Sequence, residues 1–457
     1  MKNNIFFIVL IPIFALLSTA NTAKAQINSH IESIPTQYGN FYNAIGRVSP
    51  VNDSIIYSYH HWGTGEFIET NIYATTPPQS RKFDVPKGFT IYDFEILNET
   101  IYFCGAYQDS AIIGYFPIDA FTTGFYPSTG TINPSVAFSY ALIPKIEKLT
   151  KMDVVDSSGV TIVAAVRNMS SLPGYFDNGI FLFRFNSSTV NYSYKIYLNY
   201  PVNPFYNDIA ITDNYYVCSG AFYNGSTMII AMTYIEKTNP SIFYYQLYVE
   251  TAGDMNSCFY SIEHTVGDEV VISSLVHNTG SSAYYIPIHV YDVSIQSFTS
   301  SQIIPVLEKT QYNNKMLFFS EDSTLLLLNT NCYPSNNYTN SVIYNLKPYA
   351  NSSYTTNTIY DTTSRYNSLA RFSNDFFLAT GEDLVKGHSF FIKDRLAPFV
   401  SKCFESQSHL VTPIARPTGF APNHDSLSYS NSTIKNDYPN VDELPTANPC
   451  TDNRRNP

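Results

Sequence analysis

Short apolar segments separated by polar breaks run along most of the chain, and many of them lack the alternation of a half-exposed strand. Residues 91–106 show this pattern, with the polar break Asn98-Glu99-Thr100 between two apolar segments. Such polar residues favour tight turns, so the stretch predicts two strands joined by a turn. Its second segment, residues 101–106, is apolar almost throughout. Continuous apolar character is typical of a strand that is buried on both faces.

The second segment recurs along the chain with a small residue at its third position. Seven copies follow polar breaks, and successive copies are 46 to 60 residues apart. A further strand follows each copy, and a fourth is often visible. The third positions, which we name the small column, are Ser58, Cys104, Ala164, Cys218, Ser273, Leu328 and Ala379, and six of these seven residues are small.

Seven units of four antiparallel strands predict an all-β fold, a seven-bladed β-propeller over residues 41–396. Each blade packs between two neighbours, which explains the missing alternation and the small residues where sheets approach closely. Six or eight blades remain alternatives, because the fifth and sixth units show the pattern least clearly. The repeat is too long for a β-helix coil, and a recurring column is unusual in a β-sandwich.

The N-terminus has the features of a secretion signal. Lys2 precedes an apolar run from Ile5 to Leu17, and Ala23-Lys24-Ala25 is a small-x-small cleavage site. We therefore predict a signal peptide over residues 1–25. The run is shorter than the roughly 20 residues of a membrane-spanning helix. The sequence thus predicts an exported chain, in the periplasm, outside the cell or on its surface, without a transmembrane segment.

The segments on either side of the repeats have separate interpretations. Residues 26–40 are expected to supply the outermost strand of the last blade and so close the ring, because an open ring leaves unpaired edges. Residues 397–457 form a Pro-rich tail, which we expect to lie extended along the ring or to be disordered. Cys403 and Cys450 flank this tail and are the candidates for a disulfide.

The amino-acid composition disfavours some classes of binding partner but does not identify a particular one. Aromatic residues make up 16% of the chain and charged residues only 14%, and the formal net charge is −11. An acidic, lysine-poor chain is a poor candidate for binding nucleic acid or anionic membranes. We therefore expect a protein or glycan ligand and a monomeric chain, with no cofactor implied.

The pattern Asp-Phe-x-Ile…Ile-Tyr-Phe-Cys-Gly, from Asp93 to Gly105, resembles repeats in secreted β-propeller proteins of Bacteroidota. These proteins are largely uncharacterised. The signal peptide that ends in Ala-Gln and the Tyr-, Asn- and Ser-rich composition are similar as well. The resemblance covers most of residues 40–396. It implies propeller blades and export, and it implies no particular activity.

Three aspartates are the main candidates for ligand binding. Asp93 and Asp153 lie 11 residues before their small-column positions, and Asp208 lies 10 residues before its own. On a propeller this spacing predicts carboxylates at one level of three consecutive inner strands, able to hold a cation or share a proton. The alternative interpretation is that each aspartate fixes the start of its strand by accepting hydrogen bonds from backbone amides.

A second candidate site is the His60-His61-Trp62 stretch, from which we take His61 and Trp62 as ligand-binding candidates. Adjacent histidines on a strand point to opposite faces, so no metal site is predicted. No catalytic residues are identified. We predict an exported binding or scaffold module that recognises a protein or a glycan through loops on its faces. The alternative is a carbohydrate-active enzyme, a glycoside hydrolase or lyase with carboxylates in a face pocket.

Overall fold

The structure is a computed structural model, and the residues that it describes are 30–34, 42–49, 55–61, 64–71, 79–84, 89–107, 110–118, 125–126, 131–132, 138–143, 149–156, 160–167, 178–186, 189–197, 205–223, 228–240, 242–250, 254–255, 261–278, 283–305, 312–332, 339–349, 353–359, 364–373, 376–383, 388–395, 404–410, 412–413, 415–416, 418–419 and 446–447. The regular elements in this part of the chain are all β-strands. No helix within it is long and apolar enough to cross a membrane.

The strands are β1 (His30–Ile34), β2 (Tyr42–Val48), β3 (Ile55–His61), β4 (Thr64–Asn71), β5 (Gln79–Asp84), β6 (Phe89–Leu97), β7 (Thr100–Tyr107), β8 (Ser110–Pro117), β9 (Phe125–Tyr126), β10 (Thr131–Ile132), β11 (Phe138–Ile143), β12 (Leu149–Asp156), β13 (Val160–Arg167), β14 (Asn178–Asn186), β15 (Thr189–Tyr197), β16 (Phe205–Ile211), β17 (Tyr215–Tyr223), β18 (Met228–Glu236), β19 (Phe243–Val249), β20 (Asp254–Met255), β21 (Ser261–His264), β22 (Glu269–Ser273), β23 (Val276–Asn278), β24 (Ala283–Asp292), β25 (Ser297–Pro305), β26 (Tyr312–Phe319), β27 (Thr324–Cys332), β28 (Thr339–Leu346), β29 (Ser353–Ile359), β30 (Ser364–Ser373), β31 (Phe376–Asp383), β32 (His388–Arg395), β33 (Phe404–Leu410), β34 (Thr412–Pro413), β35 (Thr418–Gly419) and β36 (Thr446–Ala447).

The described strands form seven antiparallel sheets of four or more strands, and β9 pairs with β10 in a separate ribbon. From the inner strand outwards they are sheet 1 (β2, β3, β4, β5), sheet 2 (β6, β7, β8, β11), sheet 3 (β12 to β15), sheet 4 (β16 to β19), sheet 5 (β21, β22, β24, β25), sheet 6 (β26 to β29) and sheet 7 (β30, β31, β32, β1). The short strands β20 and β23 extend sheet 5.

The first strands of successive sheets contact one another and bring the sheets around a common axis. β6 contacts β2 and β12, β16 contacts β12 and β21, and β26 contacts β21 and β30. β30 in turn contacts β2. This is the arrangement of a β-propeller, in which the inner strands surround a central channel. β1, from near the N-terminus, pairs with β32 as the outermost strand of sheet 7, so two distant parts of the chain share one sheet.

The hydrophobic core lies between neighbouring sheets, which explains the missing alternation. Val217 and Cys218 are adjacent on β17, and both are fully buried. Cys218 packs in a cluster with Val163 of sheet 3, and Val217 packs in a different cluster with Ile272 of sheet 5. Alternate residues of an inner strand therefore face the sheets on either side, and both sets are apolar.

The small column lies in these interfaces. Its members Cys104, Ala164, Cys218, Ser273, Leu328 and Ala379 are each 0% exposed. The seventh member, Ser58, lies in β3, and its side chain is outside the described set. The one bulky member, Leu328 of sheet 6, shares a cluster with Ala379 of sheet 7, so a large side chain faces a small one.

The turn between β6 and β7 holds both central residues at positive φ. Asn98 has φ 48° and Glu99 has φ 60°, as in the two-residue type I′ turns of hairpins. A glutamate is strained in this region and a glycine is not. We therefore expect Glu99→Gly to raise the free energy of unfolding by about 0.5–1 kcal/mol, measured by urea denaturation. Glu99→Ala is the control, because it keeps a Cβ, and an equal gain from both variants would contradict the argument.

The described part of the C-terminal tail lies along the outer edges of the sheets. β33 pairs with β29 of sheet 6, β34 with β25 of sheet 5, β35 with β19 of sheet 4 and β36 with β11 of sheet 2. We call these four strands the strap. Along the chain, the strap pairs first with sheet 6 and then with sheets 5, 4 and 2, which is the reverse of the order of these sheets in the sequence.

Candidate functional site

The inner strands bring charged and polar side chains together around the channel. We call this group the channel belt, and its members are Arg47, Asp93, Glu95, Lys151, Asp208, Ser261, Lys315 and Ser368. Each of the seven sheets contributes at least one of them through its first strand. The belt contains two of the aspartates that the sequence indicates, together with three cations that it does not.

Bulges position several of these side chains. In β6, β12, β16 and β30 the register shifts immediately before Asp93, Lys151, Asp208 and Ser368, respectively. A bulge adds one residue to a strand and re-aims the side chain that follows it. The inner strands thus depart from regular pairing at the same places where polar groups face the channel.

Asp93 joins the first three sheets. Its carboxylate is 1% exposed, and Lys151 Nζ lies 2.8 Å from its Oδ2 while Arg47 Nη2 lies 3.4 Å from its Oδ1. The same carboxylate accepts hydrogen bonds of 3.1 Å from the backbone N–H groups of Phe94 and Met152. Because Met152 belongs to β12, Asp93 fixes one inner strand against the next as well as holding two cations.

Asp208 has the corresponding position between sheets 3, 5 and 6. Its Oδ2 accepts hydrogen bonds from Ser261 Oγ at 2.9 Å and from the backbone N–H of Ile262 at 3.3 Å. Lys151 Nζ lies 3.5 Å away and Lys315 Nζ lies 3.9 Å away. Burial raises the pKa of Asp208, but the two lysines and these hydrogen bonds outweigh it and hold that pKa below its ordinary value. The group is therefore ionised.

Arg47 closes the belt between the last sheet and the first two. Its guanidinium forms a two-pronged contact with Glu95, at 2.9 Å from Nε and 2.5 Å from Nη2. Nη1 donates to Ser368 Oγ at 3.0 Å. The belt thus runs from Ser368 through Arg47 and Asp93 to Lys151 and onward to Asp208. Burial opposes the charge of Lys151, yet the two aspartates raise its pKa above the ordinary value.

Two further carboxyl groups line the channel without a cation of their own. Among the described residues, no Lys or Arg side chain is within ion-pair distance of Asp153 or Glu263. Burial, with Glu95 next in importance, raises the pKa of Asp153 to about 7. Burial raises the pKa of Glu263 to about 8, and Asp208 adds to the effect. Each accepts one backbone hydrogen bond, from Val154 at 2.7 Å and from Phe318 at 3.3 Å, respectively.

The three predicted aspartates do not share one level of the channel. Asp93 pairs across its hairpin with Cys104, at the third position of the recurring segment. Asp153 pairs with Val163 at the second position, and Asp208 pairs with Ser219 at the fourth. The turns explain this shift, because two residues separate the last pair of β6 and β7, three that of β12 and β13, and four that of β16 and β17. A spacing of 10 or 11 residues in sequence therefore leads to different pairing partners. In sheet 3 it is Lys151, not Asp153, that joins the belt.

The other candidate residues lie outside this site or outside the described residues. His61 is the last residue of β3, and nothing is described of its side chain. Trp62, Cys403 and Cys450 are not among the described residues. Within the described chain, no group of three or more His, Cys, Asp or Glu side chains is placed to hold a metal ion.

A signal for the belt is present in the sequence. The dipeptide Tyr-Asn occurs six times in the chain. Four of the six lie in first strands, at Tyr42, Tyr206, Tyr312 and Tyr366, and at each of these four the bulge follows the tyrosine. Aligning the units on this dipeptide, instead of on the distance to the small column, brings Asp208 and Ser368 into register. It also brings Arg47 and Lys315 to within five residues of the marker.

Comparison with known proteins finds no family model that matches the chain and no curated protein that is similar to it. Among solved structures, the WD40 domain of SCAP from fission yeast is 8% identical, with a TM-score of 0.40 over 81% of this chain and 98% of that one. A Penicillium chrysogenum alpha-L-arabinanase complexed with arabinobiose is 9% identical, with a TM-score of 0.41 over 82% and 99% of the two chains. The chain's own sheets and their contacts, not these distant likenesses, identify it as a β-propeller protein.

The stability of this site is expected to depend on pH through Glu263. Between about pH 4.5 and pH 8 the folded chain keeps a proton that the unfolded chain has released, so rising pH lowers the free energy of unfolding. Glu263→Gln keeps an acceptor for Phe318 and cannot ionise. We expect it to be more stable than wild type by about 1–3 kcal/mol at pH 8.5 and similar at pH 5.

Urea denaturation at several pH values tests this expectation. Glu99→Gln, at an exposed turn, is the matched control and should follow the wild-type pH dependence. A Glu263→Gln variant whose stability falls in parallel with wild type between pH 5 and pH 8.5 would show that this carboxyl titrates normally.

Proposed function

We propose that this chain is an exported, seven-bladed β-propeller that acts as a binding or scaffold module for a protein or a glycan. The observation that carries the proposal is the channel belt. The carboxylate oxygens of its aspartates form ion pairs with lysines and an arginine, and they accept hydrogen bonds from a serine and from backbone amides of neighbouring sheets. Those side chains hold the ring together, and recognition is left to the faces, where propeller loops are displayed.

The blade count and the export in this proposal have separate support. Each of the seven described sheets has at least four strands, and the contacts of its first strand follow a circular order. The basic residue, apolar run and Ala-Lys-Ala site at the N-terminus support export to the periplasm, the cell surface or the medium. Intact-mass analysis of the exported form should give a chain that begins at Gln26.

The binding proposal is tested with the purified chain that starts at Gln26. We expect it to retain one ligand, either from a defined glycan array or by cross-linking to a protein of the cell envelope that is then identified. Heat-unfolded chain is the control for adsorption. Retention of the same set of molecules by folded and unfolded chain, or of none by either, would contradict the proposal.

A carbohydrate-active enzyme is the second candidate, and one observation favours it. Asp208 is ionised, whereas the pKa values of Asp153 and Glu263 are raised to about 7 and about 8. Environments that separate the pKa values of neighbouring carboxyls are typical of general acid and base pairs. A polysaccharide panel with reducing-end detection tests this hypothesis. Activity that disappears in both Asp153→Asn and Glu263→Gln, with unchanged melting curves, would favour the enzyme over the binding module.

A further inference from the structure

One face of the ring carries all of the exposed large apolar side chains of the described residues. They are Ile242, Val266, Ile295 and Tyr349, with exposed fractions of 38%, 58%, 63% and 42%. Each lies at a turn between the first and second or the third and fourth strands of sheet 4, 5 or 6. In sheets of consecutive antiparallel strands, these turns all lie at the same end. We call this end of sheets 4 to 6 the hairpin face.

Hydrogen bonds join the turns of the hairpin face to one another. Within sheet 4, the N–H of Lys237 donates to Asn214 O at 2.9 Å, and within sheet 5, the N–H of Val293 donates to Asp268 O at 3.0 Å. Between the two sheets, the N–H of Asp213 donates to Gly267 O at 3.0 Å. The four apolar side chains therefore lie on one connected surface and not on independent loops.

The link to sheet 6 is made by side chains. Ser300 Oγ of sheet 5 donates to Pro348 O at 3.3 Å, next to Tyr349. The ring of Tyr349 packs edge-on against Phe318, with their centroids 6.3 Å apart. The tyrosine is thus held from below while much of its surface remains exposed.

Asp268 holds the turns of this surface in place in the free chain, before a partner binds. It accepts hydrogen bonds from Thr212 Oγ1 at 2.9 Å, Asn214 N at 2.9 Å and Asn214 Nδ2 at 2.8 Å, all in the neighbouring sheet. Burial raises the pKa of Asp268, but these bonds outweigh it and the net change is a lowering, so the carboxylate stays ionised. A preformed surface loses little conformational entropy when it binds.

The charge around the apolar side chains is mainly negative. The turns at 212–214, 236–242, 265–269, 292–296, 320–323 and 347–349 carry seven carboxylates, Asp213, Glu236, Asp268, Glu269, Asp292, Glu321 and Asp322, against Lys237 and Lys347. Arg371 of the adjoining sheet 7 pairs with one of them, Glu321, which leaves the surface negative. Both lysines donate to backbone carbonyls of these turns, to Thr212 O and Asp322 O. Exposed apolar groups within a negative rim complement a surface that is apolar and cationic.

We propose that the hairpin face of sheets 4 to 6 is a docking surface for a protein segment that presents apolar side chains among lysines and arginines. This inference rests on the proposed binding function and assigns it a place and a partner chemistry. Three of the four exposed residues are aliphatic, which suits burial against apolar protein side chains. The carboxylates select cationic segments and speed their association.

Three synthetic peptides of equal length and equal leucine content are the probes, with lysine and arginine, glutamate or serine at the remaining positions. Fluorescence polarisation should show that the cationic peptide binds at least about tenfold more tightly than the other two. Val266→Asp/Ile295→Asp should remove that preference through the loss of apolar area. Pro305→Asp adds one negative charge at an exposed position on the opposite end of β25 and should leave binding unchanged.

Several results would overturn this inference. The first is equal affinity for the three peptides. The second is unchanged binding of the cationic peptide by Val266→Asp/Ile295→Asp and by the milder Val266→Ser/Ile295→Ser, each with a wild-type melting curve. Self-association of the wild-type chain that both double variants abolish would make a second copy the occupant and would also overturn it.

The envelope cross-linking experiment separates this inference from the proposed function. An identified protein that cross-links equally to wild type and to the double variants leaves the binding function standing and rejects this surface. No cross-linked protein and no glycan bound to the wild type rejects the binding function itself.

Discussion

Replacing Lys151 by methionine is expected to lower the free energy of unfolding by about 3–5 kcal/mol. The ammonium group lies 2.8 Å from Asp93 and 3.5 Å from Asp208, and both of these carboxylates are almost fully buried. Methionine retains most of the side-chain volume, so the loss of the charge is the main change. The carboxylates of Asp93 in sheet 2 and Asp208 in sheet 4 would then lose the cation that lies between them.

Chemical denaturation of the single variant and of Lys151→Met/Asp93→Asn measures this effect. The double variant removes one of the stranded charges, so its loss should be clearly smaller than the sum of the two single losses. Lys347→Met is the matched control, because Lys347 is 41% exposed and lies 3.7 Å from an exposed Asp322. It should cost less than about 1 kcal/mol. Similar losses for the two lysines would show that the belt is no more than a set of surface ion pairs.

Replacing Ala379 by phenylalanine is expected to lower the free energy of unfolding by about 3 kcal/mol or more, the upper end of overpacking effects. Ala379 is 0% exposed and lies in the cluster between sheets 6 and 7 with Leu328, Phe377 and Ile343. A phenyl ring there has to move one sheet away from the other. Ala164, which is equally buried at the same position of sheet 3, should respond in the same way.

A compensating substitution distinguishes overpacking from other causes. Leu328→Ala creates space in the same cluster, so Ala379→Phe/Leu328→Ala should be more stable than Ala379→Phe alone. Thermal and urea transitions of the four chains complete the cycle. A wild-type transition for Ala379→Phe would contradict close packing of the two sheets at this position.

The sequence predicts the propeller because strands buried on both faces are apolar at consecutive positions. This pattern is recognisable without knowing the exact register of the strands. Val217 and Cys218 are consecutive and apolar because each faces a different neighbouring sheet. No ordinary two-layer sheet requires that, so the absence of alternation is informative about architecture. The small column adds positions where sheets approach closely, and Ala164 and Ala379 are fully buried there.

The channel belt is harder to predict because its geometry depends on single-residue irregularities. Counting residues back from the small column assumes turns of equal length, but the turns of sheets 2, 3 and 4 place two, three and four residues between the last paired residues of the first two strands. The count selects Asp153, whose side chain forms no ion pair with a described residue, and it misses Lys151. Cations such as Arg47 and Lys315 show no common spacing, because each reaches the channel with a long, flexible side chain.

The pairing of β1 with β32 determines the order in which this molecule can assemble. His30 lies opposite Lys393, so nearly the whole propeller has to be made before its first strand finds a partner. Contacts between such distant positions form slowly. The strap comes later still, since β33, β34 and β35 need the finished edges of sheets 6, 5 and 4. Until it arrives, those edges can accept strands of other newly made chains. A segment that follows the propeller in the chain therefore covers the edges through which newly made copies would otherwise associate.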